Sequence, residues 1–147
     1  MTALREHPPA PWHLWLVAIL AIAWNAMGAL DYYLTQSGDA EYLSAFTPEQ
    51  VAFFTGFPAW VDASWAVAVW GGLLGALLLL LRKSLAVPVL LISLLAMVLT
   101  TIHNYLLMDG LQVMGDPFSL TFTLVIFLVA LFLLRYANRQ RRNGVLR

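Results

Sequence analysis

Four apolar runs free of Asp, Glu, Lys and Arg divide the chain, at positions 7–30, 63–81, 84–108 and 117–134. Each is close to the ~20 residues with which a helix crosses a ~30 Å hydrocarbon core. Lipid offers the backbone no hydrogen-bond partners, and the alternation of a barrel strand is missing, so the runs predict helices. With their flanks, the spans are expected at about 12–34, 59–81, 85–108 and 117–137. They form one membrane domain over 12–138, between a proline-rich lead-in (1–11) and a basic tail (139–147). Arg5, an apolar stretch and Ala21-Ile22-Ala23 have the parts of a signal peptide, but apolar character continues to Leu30, so a retained first span is expected.

Polar punctuation sets the boundaries. Thr47-Pro48-Glu49-Gln50 is a capping box with proline at the first helical position. It predicts a short helix through Phe54, ended by Gly56-Phe57-Pro58. Val51, Phe53 and Phe54 are too apolar for water and put that helix on the membrane surface or over the bundle as a lid. Ser84 is expected to cap the third span, with Pro88 in its first turn or so. Asp109–Asp116 reads as a second loop, and Asp116-Pro117 opens the fourth span.

Composition agrees: 61% of residues are hydrophobic and 11% charged, against roughly 25% charged in soluble domains. Every Lys and Arg falls on one side of the predicted spans: Arg5, then Arg82 and Lys83, then Arg135, Arg139, Arg141, Arg142 and Arg147. The acidic residues fall on the other, except Glu6. Cytoplasmic flanks retain Lys and Arg. The expected fold is therefore all-α: an antiparallel four-helix integral membrane bundle with both termini cytoplasmic and an interfacial helix in the first external loop. Arg-over-Lys usage with abundant Ala and Leu points to a bacterial plasma membrane. The basic charge lies beside an anionic leaflet, which leaves no face for nucleic acid and makes the tail a topology anchor. Cysteine is absent, so thiolate and disulfide chemistry are excluded.

Membrane helices associate through small residues and interhelical hydrogen bonds. The inward stripes are then Ala18, Ala21, Asn25, Gly28 and Tyr32 on the first span, and Ser93, Ala96, Thr100, His103 and Leu107 on the third. The second span carries Ser64, Ala68, Gly71 and Gly75, a row suited to packing within the chain or to a homo-oligomer. The fourth has only Ser119, Thr123 and Ala130 among bulky apolar residues and should be the most lipid-exposed.

The larger polar side chains gather toward the outer half. Asn25, Asp31, Tyr32, Asp62, Trp65, Thr100, His103 and Asn104 are the candidate ligand-binding residues. Asp31 sits near a helix C-terminus, where the dipole disfavours an anion. His103 is the only side chain on that side able to supply a positive charge, so the two are candidates for a direct or water-bridged pair. The bland alternative has Asp31 reaching external water. Asp62 stands at a helix N-terminus, where the dipole alone stabilises it. Trp60 and Trp65 suit an interfacial aromatic belt as well as a ligand. No second histidine is near His103, since His7 and His13 lie on the opposite side, and no catalytic, metal or cofactor motif stands out. The expectation is a protein that is not an enzyme.

Trp24-Asn25 through Gly28, Phe46-Thr47-Pro48-Glu49-Gln50, Phe57-Pro58-Ala59-Trp60 and Val69-Trp70-Gly71-Gly72-Leu73-Leu74-Gly75 running to Leu81-Arg82-Lys83 carry a resemblance. Over roughly 14–108 the chain resembles a family of small bacterial four-helix membrane proteins of unsettled function, often labelled sugar transporters. It is more loosely similar to DoxX-like proteins. The expected function is binding, or transport, of a small polar or amphipathic molecule at an outward pocket; a single four-helix bundle is thin-walled for alternating access, so transport would need a homo-oligomer. The alternative is a non-catalytic accessory subunit that offers its Gly71/Gly75 face and outer loop to a larger membrane complex.

Overall fold

The computed structural model describes residues 8–147. Most of the predicted lead-in, including Arg5, Glu6 and His7, lies outside the described residues. The described chain is helical, in the order α1 (Trp12–Ser37), α2 (Ala40–Leu43), α3 (Pro48–Thr55), α4 (Ala59–Leu80), α5 (Ala86–Ile102) continued by a π turn (His103–Leu107), α6 (Gly110–Met114) and α7 (Pro117–Arg142). Four of these segments are long and apolar enough to cross a membrane: α1, α4, α5 with its π turn, and α7.

Local chemistry explains most boundaries. α1 stops at Gly38, whose φ of 69° lets its N–H reach Thr35 O while the Asp39 N–H reaches Leu34 O. This Schellman arrangement satisfies the last carbonyls and takes α1 one turn beyond the predicted end. The capping box of α3 forms as expected: Thr47 Oγ1 accepts from the Gln50 N–H at 3.2 Å, and the Thr47 N–H donates to Gln50 Oε1 at 3.1 Å. Asp116 caps α7 by accepting from the Ser119 N–H (2.9 Å) and hydroxyl (2.6 Å). Ser84 does not cap. α5 begins at Ala86, so the apolar Leu85 stands at the cap position and offers no side-chain acceptor, while the Ser84 N–H donates to Arg147 O at 2.6 Å.

α4 packs along α5 and against α1, and α5 continues onto α7. The His13–Tyr136 hydrogen bond (2.5 Å) and the Trp24–Phe122 ring contact link α1 to α7. Ala18 and Ala21 are buried, Gly28 approaches Val69, and Tyr32 meets Trp65 edge-on. Gly71 and Gly75 face α5: a Cβ on Gly75 would stand 2.5 Å from Leu90, and one on Gly71 would stand 3.2 Å from Ser93. The Ser93 hydroxyl donates across to Ala68 O at 2.6 Å. That glycine face is therefore occupied by the chain's own α5. α7 is the least covered, its apolar window 6% buried against 22% for each of the others.

One end is tied by the C-terminal segment. Gly144 (φ 74°) ends α7, and Val145 and Leu146 turn back into the core beside Leu14, Leu79 and Ala86. The Arg147 N–H donates to Arg82 O at 2.7 Å. Arg82 itself takes the left-handed conformation (φ 57°), which costs a non-glycine residue about 1–2 kcal/mol. Its guanidinium compensates by donating to Val145 O (3.1 Å) and Pro8 O (2.9 Å). Residues 139–147 are thus not a free basic tail: they finish a helix and then dock.

Candidate functional site

The opposite end carries the acidic residues and the short helices. Asp39 accepts from the Tyr42 N–H at 2.8 Å and so nucleates α2, a turn absent from the expected elements. α2 swings the Tyr42 hydroxyl onto Asp31 Oδ1, and Thr35 Oγ1 donates to the same oxygen at 3.5 Å. Burial and then the adjoining Asp31 carboxylate hold the Tyr42 phenol well above its ordinary pKa.

Asp31 and His103 do not meet by hydrogen bond or ion pair among the described residues. His103 is 4% exposed, with Nδ1 3.1 Å from Asn104 Oδ1 and its ring edge-on to Trp60 (5.3 Å) and Phe57 (5.7 Å). Asp31 has its needs met by two hydroxyls and His103 by an amide and two rings, which removes the reason for the pair. Asp62 accepts from Gln36 Nε2 at 3.1 Å and ties α4 to α1. Asn25 donates to Ala21 O at 2.8 Å and lies against Gly72, while Thr100 donates to Ala96 O at 3.0 Å. Those two polar residues are spent on helix backbone and packing.

Aromatic rings cover this end. Trp60, His103, Phe57, Trp65 and Tyr32 follow one another at 5.0–6.0 Å between centroids. From Phe57 a branch runs through Phe53, Phe54 and Phe46 to Tyr42, again in edge-on contacts. α3 thus lies over the long helices as a lid.

Beneath Phe53 and Phe54 is a cavity of about 150 Å³, bounded by Met97, Thr101, Asn104, Tyr105, Gly110, Met114, Thr123, Ile126 and Phe127. Of the eight candidate ligand-binding residues only Asn104 lines it. The π turn borders the space through Asn104 and Tyr105. The Met108 N–H bonds five residues back to His103 O at 3.0 Å, and the added residue swings Leu107, expected to face inward, to 66% exposure. Thr101 Oγ1 back-bonds to Met97 O at 2.8 Å, a pattern that bends helices. Gly110 permits the closure, since a Cβ there would stand 2.1 Å from Asn104 O. Tyr105 and Thr123 hydroxyls join α5 to α7 at 3.3 Å. Polar groups therefore occupy one wall of an otherwise apolar chamber. The run Thr100-Thr101-x-His103-Asn104-Tyr105 was the available signal, with Thr101 and Tyr105 one turn apart on a neighbouring face.

Comparison with protein-family profiles, curated proteins and solved structures returns no match for this chain.

Proposed function

We propose that the chain is an antiparallel four-helix membrane protein with both termini in the cytoplasm of a bacterium, and that it binds, or carries as a homo-oligomer, a small amphipathic molecule entering from outside. The carrying observation is the lidded cavity at the acidic end, with Thr101, Asn104, Tyr105 and Thr123 among apolar walls. Small-molecule sites combine an apolar lining with a few convergent polar groups, and π turns often mark functional sites. Residues 145–147 dock at the basic end, far from the cavity, which supports reading the acidic end as the side of entry.

Size narrows the ligand class. A cavity of about 150 Å³ has room for a molecule about the size of benzene. A pyranose is bulkier than benzene and would place hydroxyls against the apolar walls of Phe53, Phe54, Met97, Met114, Ile126 and Phe127. We therefore keep the likeness to the small four-helix family as part of the proposal and replace its sugar label with a compact phenol-like amphiphile. No catalytic role is assigned. The accessory reading would have to use α7, because the Gly71/Gly75 face is covered by α5.

Thermal stabilisation of the purified protein by phenol, indole and glucose tests this. The aromatic alcohol or indole should raise the midpoint and glucose should not. Met97→Trp, which fills the chamber, should abolish the response. Stabilisation by glucose alone, or a Met97→Trp protein that folds and responds as before, would overturn the assignment.

A further inference from the structure

The basic end of α7 presents a shallow, solvent-open concavity bordered by Arg135, Asn138, Arg139, Arg142 and Asn143, all on α7 or at its C-cap. Arg135, Arg139 and Arg142 recur at i, i+4 and i+7, which places them in a ladder on one helical face. All three are exposed, and no side-chain partner engages their guanidinium groups among the described residues. Arg141 points elsewhere and donates to Asn138 Oδ1 at 2.9 Å. With its carbonyl taken, Asn138 has its NH2 group left to offer an anion.

Depth makes the ladder specific. At ~1.5 Å per residue, Arg135 lies about 27 Å along α7 from Pro117, and Arg142 lies about 10 Å further. The hydrocarbon core is ~30 Å thick and the bilayer with headgroups ~40–45 Å. The three guanidinium groups therefore straddle the layer that holds lipid phosphates. The described acidic residue nearest along α7 is Asp116, at its far end. Arginine forks match phosphate oxygens bidentately, and flanking amides add neutral donors.

We propose that Arg135, Arg139 and Arg142, with the Asn138 and Asn143 amides, bind the phosphodiester headgroup of an anionic phospholipid on the inner-leaflet side. The shared chemistry is that of a phosphate ester, and the depth of the ladder selects the lipid over a free ester. The site requires α7 to be a membrane span and is independent of the cavity at the other end.

Short-chain phosphatidylglycerol, phosphatidylcholine and glycerol phosphate, titrated onto the protein in neutral detergent and read by native mass spectrometry, test it. Phosphatidylglycerol should bind and the other two should not compete. At about 1 kcal/mol per basic residue near an anionic surface, Arg139→Gln with Arg142→Gln should weaken binding about 30-fold. The charge-matched Lys83→Gln with Arg147→Gln removes two exposed cations from the same end, outside the concavity, and should change it by much less. An equal loss in that control, equal binding of phosphatidylcholine, or equal competition by glycerol phosphate would overturn the site. In detergent the readout does not depend on which way the chain crosses the bilayer.

Discussion

At the scale of single residues, the helix contacts are decided by atoms that composition does not advertise. Gly71 and Gly75 stand out as a small-residue pair, yet Gly72 is the tighter position: a Cβ there would lie 2.2 Å from Asn25 Oδ1. Asn25 cannot give way freely, because its amide donates to Ala21 O. Gly72→Ala should therefore cost about 1–3 kcal/mol, the usual range for an added methyl in a packed interface. In an Asn25→Ala background the same change should cost much less, since touching residues are non-additive. Thermal unfolding of the four proteins in one detergent measures the coupling, and additive losses would mean that Asn25 and Gly72 do not share this contact.

At the scale of elements, what was legible depended on whether the cause lay within the element. The four long helices follow from apolar runs of span length, α3 from the Thr47-to-Gln50 box, and the start of α7 from Asp116-Pro117. Each cause is local. The π turn and α6 answer to contacts between elements, Gly110 on the Asn104 carbonyl and Gln50 Nε2 toward Met114 Sδ, whereas α2 starts from the short-range Asp39 cap and then sets Tyr42 on Asp31. The π turn and α6 both contribute to the cavity wall, and of the candidate residues chosen at regular helical spacing only Asn104 lines it. Ser84 was a local signal that failed: α5 starts at Ala86, one residue later than a Ser84 cap requires, and the apolar Leu85 stands at its boundary.

A local cap also carries a pH dependence whose sign can be worked out. Hydrogen bonds from the Ser119 hydroxyl and N–H hold the Asp116 carboxyl below its ordinary value of 3.8. A lowered folded-state pKa means that the folded protein binds the proton less readily than the unfolded chain. The contribution of this cap is thus fully present above 3.8 and is lost as pH falls through the depressed value. The first turn of α7 should fray only in that acid window. Asp116→Asn, which retains a capping oxygen without a titrating group, should remove this component. Amide exchange at Ser119 and Leu120, followed from neutral pH into acid, reads it; the same acid response in Asp116→Asn would assign the fraying to another group.

At the scale of the whole molecule, the two ends are built from opposite chemistry. Aromatic rings and carboxylates close one end, while a docked C-terminal segment and exposed arginines form the other. Arg82 shows why charge alone does not describe the basic end: its guanidinium is used on Val145 O and Pro8 O, so it works as a fastening inside the fold. The orienting bias rests more heavily on Lys83 and the arginines of α7. The chain contains no cysteine, which makes orientation directly measurable with single introduced thiols. Lys83→Cys and Asp39→Cys occupy exposed positions at opposite ends and leave every hydrogen bond of the Arg82 fastening in place. A membrane-impermeant maleimide should label Asp39→Cys in intact cells and Lys83→Cys only after lysis. Asp39 also caps α2, so loss of its label through local rearrangement is separated from inversion by Glu41→Cys, on the same exposed turn. Labelling of Lys83→Cys in intact cells, with both acidic-end thiols protected, would place the aromatic lid in the cytoplasm. The cavity would then be loaded from inside, and the arginine ladder would face the outer leaflet.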